Sequence, residues 1–268
     1  MSLLAFQLAL ADMTASHAFC ARVAADPDAA LAGYELTPLE RRRLAAAAGQ
    51  RGMRVNCSLY RYNRITTLVA ILPGTVHLLG GEARAVADEF WAAHPPDRNM
   101  RREAERFAGF IRAAVASGRL ASPYLREVVD FEMMRYELAA APQPGLLEQQ
   151  VETGDAETPF APHPLVRVAA FAHDPAVLLP HLAAKRKPPF DDVPEGEYHL
   201  LLDRRDGAYH ERPLDARLAR AMIAAAAGED PVAHEREELA AAGLLVRVGP
   251  DAETDANGRA AGELLAAR

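Results

Sequence analysis

A chain of 268 residues, half of them hydrophobic and a quarter charged, is long enough for two folded domains, each with its own core. A net charge of −7 argues against a general nucleic-acid binder, and no run approaches the roughly 18 uninterrupted apolar residues of a membrane helix. Cys20 and Cys57, the two cysteines, have no CxxC spacing, so neither a disulfide framework nor a metal signature is implied and both are expected in the core.

The opening MSLLAFQLALADMTASHAFC lacks the positive start of a signal peptide, and Gln7 and Asp12 interrupt it at helical spacing. It is read as the first amphipathic helix, Leu3 to Val23, of a cytoplasmic protein. Asp26-Pro27-Asp28 breaks and recaps the chain. Thr37, Pro38 and Glu40 form a strong helix start: N-cap, first helical residue and capping-box partner. That helix is expected over Pro38 to Ala48, ending near Gly49.

The central stretch, Gly52 to Gly81, is the most unusual. Arg51, Arg54, Arg61 and Arg64 stand here with Asn56, Tyr60 and Asn63 between them and no carboxylate from 51 to 64. A helix through Leu59, Thr66, Val69, Ala70 and Leu72 is expected to bury one side, with Asn56 and Ser58 as candidate caps and Arg61 and Arg64 on a shared face. Two readings stand side by side: a core helix with a solvated arginine edge, or a cationic, amide-rich docking face for an acidic peptide or partner protein. Charge is uneven along the chain, with seven arginines against one glutamate from Glu40 to Arg64 and nine acids against four arginines from Glu229 to Arg268.

Further helices are expected over Ala83 to Ala93, closed by Pro95-Pro96, over Asn99 to Ser117 and over Pro123 to Ala141. On the last, Glu127, Asp130, Glu132 and Glu137 are read as an acidic outer face. Pro142 to Pro164, rich in Pro, Gly and acid, is read as a linker. Then the period changes. Leu165 to Ala172 and Glu197 to Asp203 are short strands; Arg204-Arg205-Asp206-Gly207 is a hairpin turn, and Ala208 to Arg212 returns. Helices over Asp174 to Ala184, Leu214 to Ala227 and Pro231 to Ala242, and a strand over Leu244 to Val248, complete the pattern. The class is α+β: an all-helical domain over 1–141, a linker over 142–164, and a small winged-helix-like α+β domain over 165–268 that includes an acidic tail.

No Gly-rich phosphate loop, GxSxG, HExxH or paired-cysteine metal motif is present. The nine histidines are scattered, and Asp191-Asp192 sits in a proline-flanked turn. No catalytic residue, metal site or cofactor is assigned.

Several segments together carry a resemblance: ADPDAALAGYELTPLERRRL, VNCSLYRYNRITTLVAILPGTVHLLG, EFWAAHP and EAERFAGFI in the first half. HPLVRVAAFAHDPAVLLPHL and EYHLLLDRRDGAYHERPL follow in the second. Across residues 1–248 the chain resembles the partner proteins (MbnC-type and TglI-type) of multinuclear non-haem iron oxidases in ribosomal peptide natural-product biosynthesis. VNCSLYRYNR is the most specific element; the long linker and acidic tail depart from the smaller members. The resemblance implies a non-catalytic subunit that forms a heterodimer with its iron oxidase and holds the leader of a precursor peptide, often as an added β-strand. The partner face is then expected at Arg51, Arg54, Asn56, Tyr60, Arg61, Asn63 and Arg64. The peptide is expected on Tyr198, His199, Leu200, Leu201 and Leu202 or on Leu165 to Ala172, either of which could form a sheet edge. No cofactor, membrane or nucleic-acid partner is expected. Two rivals stand beside this reading: a winged-helix-like DNA-binding regulator, and a ring-cleavage enzyme, suggested by LTPLER alone.

Overall fold

The computed structural model describes residues 3–94, 97, 99–142 and 160–247. The chain is α+β and separates into two compact units, Met1–Phe110 and Ile111–Arg268. The division falls inside a helix, and the helix after it goes with the sheet rather than with the helices before it. Residues 143–159 of the expected linker, Pro95-Pro96 and the tail from 248 onward lie outside the described residues.

The first unit opens with two helices, not one: α1 (Leu3–Ala15) and α2 (His17–Ala25) meet at 116°. Ser16 makes the break, its hydroxyl accepting the Phe19 N–H at 3.1 Å as the N-cap of α2. Asp26 does the same for α3 (Pro27–Ala30) by accepting from Ala29 N–H. Before α4 (Pro38–Ala48) the reciprocal capping box is complete, with Thr37 accepting from the Glu40 N–H and Glu40 accepting from the Thr37 N–H. Next come α5 (Arg51–Ile71), α6 (Pro73–Leu79), a 3-10 turn (Gly80–Glu82), α7 (Ala83–Ala93) and α8 (Met100–Ala116). Met13, Cys20, Val23, Leu31, Leu44 and Cys57 share one buried cluster, so both cysteines are in the core, and the thiol of Cys57 donates to the Met13 carbonyl at 3.2 Å.

The second unit is organised on α9 (Leu125–Ala140) and the strand β2 (Val166–His173). Around them stand β1 (Phe160–Pro162), α10 (Pro175–Ala183), β3 (Glu195–Asp203), β4 (His210–Pro213), α11 (Ala216–Ala226), α12 (Ala233–Ala241) and β5 (Leu245–Arg247). One antiparallel sheet has the order β2-β3-β4, and β1 pairs with β5. Phe171 on one face of β2 meets Phe131 of α9 at 5.6 Å between rings. On the other face Val166 and Leu201 pack with Met222 of α11 and Leu239 of α12. Both faces of the sheet are therefore covered at His199 to Leu202 of β3.

That coverage removes the alternation from β3. Leu200, Leu201 and Leu202 are all buried, because successive residues on a doubly covered strand both point into packing. The hairpin turn is where Asp206-Gly207 puts it, with Gly207 at φ +87°, but β4 starts at His210 rather than Ala208. Nor is the acidic side of α9 an outer face: Glu127 and Glu132 are buried, and Asp130 is held by Arg112 and Arg126. Among the described residues no single helix is long and apolar enough to cross a membrane.

Candidate functional site

Helix α5 begins at Arg51, so Asn56 and Ser58 are interior residues and not caps; Ser58 donates instead to the Arg54 carbonyl at 2.9 Å. The helix is also rotated from its expected orientation. Its inward residues are Met53, Cys57, Leu68 and Ile71, whereas Leu59, Thr66, Val69 and Ala70 face solvent. With 3.6 residues per turn this places Arg61 and Arg64 on the inner half.

Arg64 is the most enclosed of the four arginines, its side chain 10% exposed. Its Nε donates to Glu103 Oε1 at 2.8 Å, with Nη2 2.5 Å from the same oxygen. Trp91 Nε1 donates to that oxygen at 3.1 Å, and the Arg64 guanidinium lies 4.8 Å from the Trp91 ring centre. Arg61 pairs with Asp88 and flanks the same indole at 6.0 Å. These two arginines brace α5 onto α7 and the start of α8, with their charge already met. The seven residues expected to share a partner face therefore do not. Asn56, Tyr60 and Asn63 fall along a flank of the helix, and of the arginines Arg51 and Arg54 alone are fully turned to solvent. Beside those two runs a shallow groove of about 570 Å³, lined by Arg51, Arg54, Val55, Ser58, Leu59 and Tyr62.

In the second unit the register decides which strand can accept a peptide. Tyr198 to Leu202 lie on β3, the central strand: Leu200 pairs with Ala169 on one side and Pro213 on the other, and Leu202 with Arg167 and Glu211. Its backbone groups from Leu200 onward are already used, and His199 receives the Leu214 N–H at 3.0 Å. Strand addition at Leu200–Leu202 is thereby ruled out. The other expected run, on β2, is an edge: no strand among the described residues pairs with its outer side.

The Arg204 N–H donates to the Leu165 carbonyl at 3.0 Å, one step beyond the Val166–Asp203 pair. By the alternation of an antiparallel ladder, Arg167, Ala169 and Phe171 spend their backbone groups on β3, and Val166, Val168, Ala170 and Ala172 point theirs outward. Both ends of this edge are closed. The Val166 N–H donates to the His163 carbonyl, and Arg167 Nη1 donates to the carbonyls of Pro164 and Val166 at 2.9 and 2.8 Å. At the other end the Ala172 N–H donates to Glu127 Oε2 at 2.6 Å. Between them lies Val168–Ala170, with Ala170 exposed. The opposite edge, β4, is short, exposed along its length and ends in Pro213, which has no N–H to give.

Sequence reasoning did not find Glu127 as a closure of this edge. Its Oε1 lies 2.9 Å from His173 Nδ1, and burial raises its pKa, against the pull of the Ala172 N–H and of His173. Tyr124 packs edge-on against His173 at 4.6 Å and donates its hydroxyl to the Phe190 carbonyl. His181, nearby in sequence, has a carboxylate of its own: Nε2 lies 2.9 Å from Asp192 Oδ1, a bond that holds Asp192 below the usual carboxylate range. Among the described residues no three His, Cys, Asp or Glu side chains are grouped to hold a metal ion.

A second hollow, about 640 Å³, is lined by Arg135, Ala139, Arg204, Tyr209 and Glu211. Arg204 is committed there, donating to the carbonyls of Leu138, Ala139 and Ala141 at 2.9–3.2 Å and closing the C-terminal end of α9. Burial and the neighbouring Glu211 both push the Tyr209 phenol upward. In comparisons with known proteins no family model matches this chain, and no curated protein matches it.

Proposed function

We propose that this chain is a non-catalytic partner subunit that holds the leader of a precursor peptide as a strand added to β2. It would present the peptide's core cysteine to a multinuclear non-haem iron oxidase in a heterodimer. The observation that carries the peptide half is the open stretch Val168–Ala170, bounded by Arg167 at one end and Glu127 at the other. Two outward residues of an antiparallel edge offer two N–H groups and two carbonyls, enough to register a short extended segment. Small, exposed Ala170 and Ala172 leave room for the incoming side chains. The oxidase half rests on the sequence resemblance. In this reading the second unit is the winged-helix-like peptide domain, and the first unit meets the partner.

The DNA-binding alternative gains nothing from the surface that would serve it. On α11 and α12 the arginines are engaged: Arg217 with Glu238 at 2.7 Å, Arg220 with Glu197 at 3.0 Å, Arg236 with Asp230 at 2.7 Å. A phosphate-binding helix needs cations in excess, and α12 carries Glu235, Glu237 and Glu238.

Hydrogen exchange tests the assignment on the full chain, using the peptide encoded by a neighbouring short cysteine-containing reading frame. The amides of Val168 and Ala170 are expected to slow, while those of Leu200–Leu202, already paired on both sides, hold their rates. Protection confined to Arg51–Arg64, or none at all, overturns it.

A further inference from the structure

We infer that the solvent face of α5 is a docking surface for an amphipathic helix of a partner protein whose apolar stripe is flanked by aspartates or glutamates. Four large apolar side chains stand out from this helix: Val55 is 47% exposed, Leu59 55%, Tyr62 66% and Val69 44%. With Thr66 they fall at 55, 59, 62, 66 and 69. These alternating steps of four and three are the seam along which one helix receives the knobs of another. At 1.5 Å per residue the seam runs for about 21 Å. The inner face of α5 has its own apolar set in Met53, Cys57, Leu68 and Ile71, so the outer stripe is not needed for the fold. Scattered exposed apolar residues are ordinary, but four in heptad register along one long helix are not.

Charge selects the occupant. No carboxylate occurs anywhere in α5, and beside the groove Arg51 and Arg54 have no ion pair among the described residues. Their neighbours Arg61 and Arg64 show what this helix does with an arginine that has an internal role: each is met by a carboxylate. A second α5 brings no acid to Arg51 and Arg54, which disfavours self-pairing. A lipid surface fits less well, because the seam is narrow, interrupted by Thr66 and flanked by Asn56 and Asn63, and its cations stand at one end. A helix with leucine-like residues at heptad spacing and acids alongside satisfies both the seam and the two guanidiniums. The inference deepens the partner-subunit reading by giving the chemistry of the partner's contact, and rests on it for the partner's class alone.

The test uses the full chain and two fluorescent 21-residue helical peptides. Both carry leucine at positions a and d; one has glutamate at e and g, the other lysine. Anisotropy is expected to show binding of the glutamate peptide, with the lysine peptide at least about tenfold weaker, a difference of roughly 1.4 kcal/mol. The Leu59→Ser/Tyr62→Ser variant, altered only where side chains face solvent, is expected to lose about tenfold or more with unchanged circular dichroism. Arg51→Ala/Arg54→Ala should weaken the glutamate peptide and flatten its salt dependence. Equal binding of the two peptides, no binding of the glutamate peptide, or full binding by the Leu59→Ser/Tyr62→Ser variant overturns the inference. So does a dimer of the chain, or adhesion to phosphatidylcholine–phosphatidylserine vesicles, that this variant abolishes. Peptide-induced protection at Val168 and Ala170 reads the strand-addition proposal separately, so either can fail alone.

Discussion

Glu103 in the first unit and Glu127 in the second are both almost wholly buried, at 2% and 6% exposure, yet they are held by different chemistry. Glu103 sits under a permanent cation: Arg64 and the Trp91 N–H converge on Oε1, and the Asp97 N–H reaches Oε2 at 3.4 Å. Glu127 has an imidazole and one backbone N–H, and burial raises its pKa above the ordinary 4.5. A guanidinium stays charged at any accessible pH, whereas the partners of Glu127 leave its own proton free to return. The first arrangement is a fixed brace under α5. The second is a titratable closure at one end of the β2 edge.

The largest effect should come from removing the fixed cation. Arg64→Ala leaves Glu103 buried with the indole N–H and a long backbone bond, and breaking a buried pair from one side costs about 3–5 kcal/mol. That is a large fraction of a domain's total stability, so urea unfolding should show a much lower midpoint for the first unit. A loss below about 1 kcal/mol, as for an exposed pair, would erase the distinction between the two carboxylates.

Next in size is the pH response of Glu127. Its folded pKa lies above its unfolded value, so its protonated form is the one the fold favours. The stability it contributes is complete below 4.5 and is lost as pH rises through the folded value. Glu127→Gln keeps an acceptor for the Ala172 N–H and removes the titration. Unfolding curves across the acid-to-neutral range should therefore show the unaltered chain losing stability relative to Glu127→Gln as pH rises. The opposite slope would mean that the Ala172 N–H and His173 together outweigh burial at Glu127.

Part of this was legible in the residues and part was not, for physical reasons. The α4 start could be read directly, because a capping box is local: Thr37, Pro38 and Glu40 carry all of it. Ser16 holds the same signal, but the apolar residues on both sides of it read as one helix. On α5 the period was right and the phase wrong. The helix has apolar residues on two sides, and nothing local says that Met53, Cys57, Leu68 and Ile71 go inward while Leu59 and Val69 go out. The deciding partners, Asp88 and Glu103, stand 27 and 39 residues away from Arg61 and Arg64. Similarly, Leu200-Leu201-Leu202 could have announced a strand covered on both faces, since such strands lose their alternation. Which edge is open depends on strand order, and no window of sequence holds that.

A third carboxylate, Glu40, sharpens the comparison with the smallest effect. It is 8% exposed and is held by hydrogen bonds from the Thr37 N–H and hydroxyl, both at 2.8 Å. Those bonds lower its pKa, the reverse of Glu127. The sign of the linkage reverses with it: its contribution is present above 4.5 and is lost as pH falls through the lowered folded value. Thr37→Ala removes the N-cap hydroxyl, which both accepts the Glu40 N–H at 3.3 Å and donates to the carboxylate. Loss of such a cap typically costs about 1 kcal/mol. The cost should be largest at neutral pH and shrink in acid, where protonation of Glu40 already weakens the same bond in the unaltered chain. A cost that stays constant with pH would assign the hydroxyl's whole effect to the Glu40 N–H. The carboxylate's lowered pKa would then belong to the Thr37 backbone N–H alone.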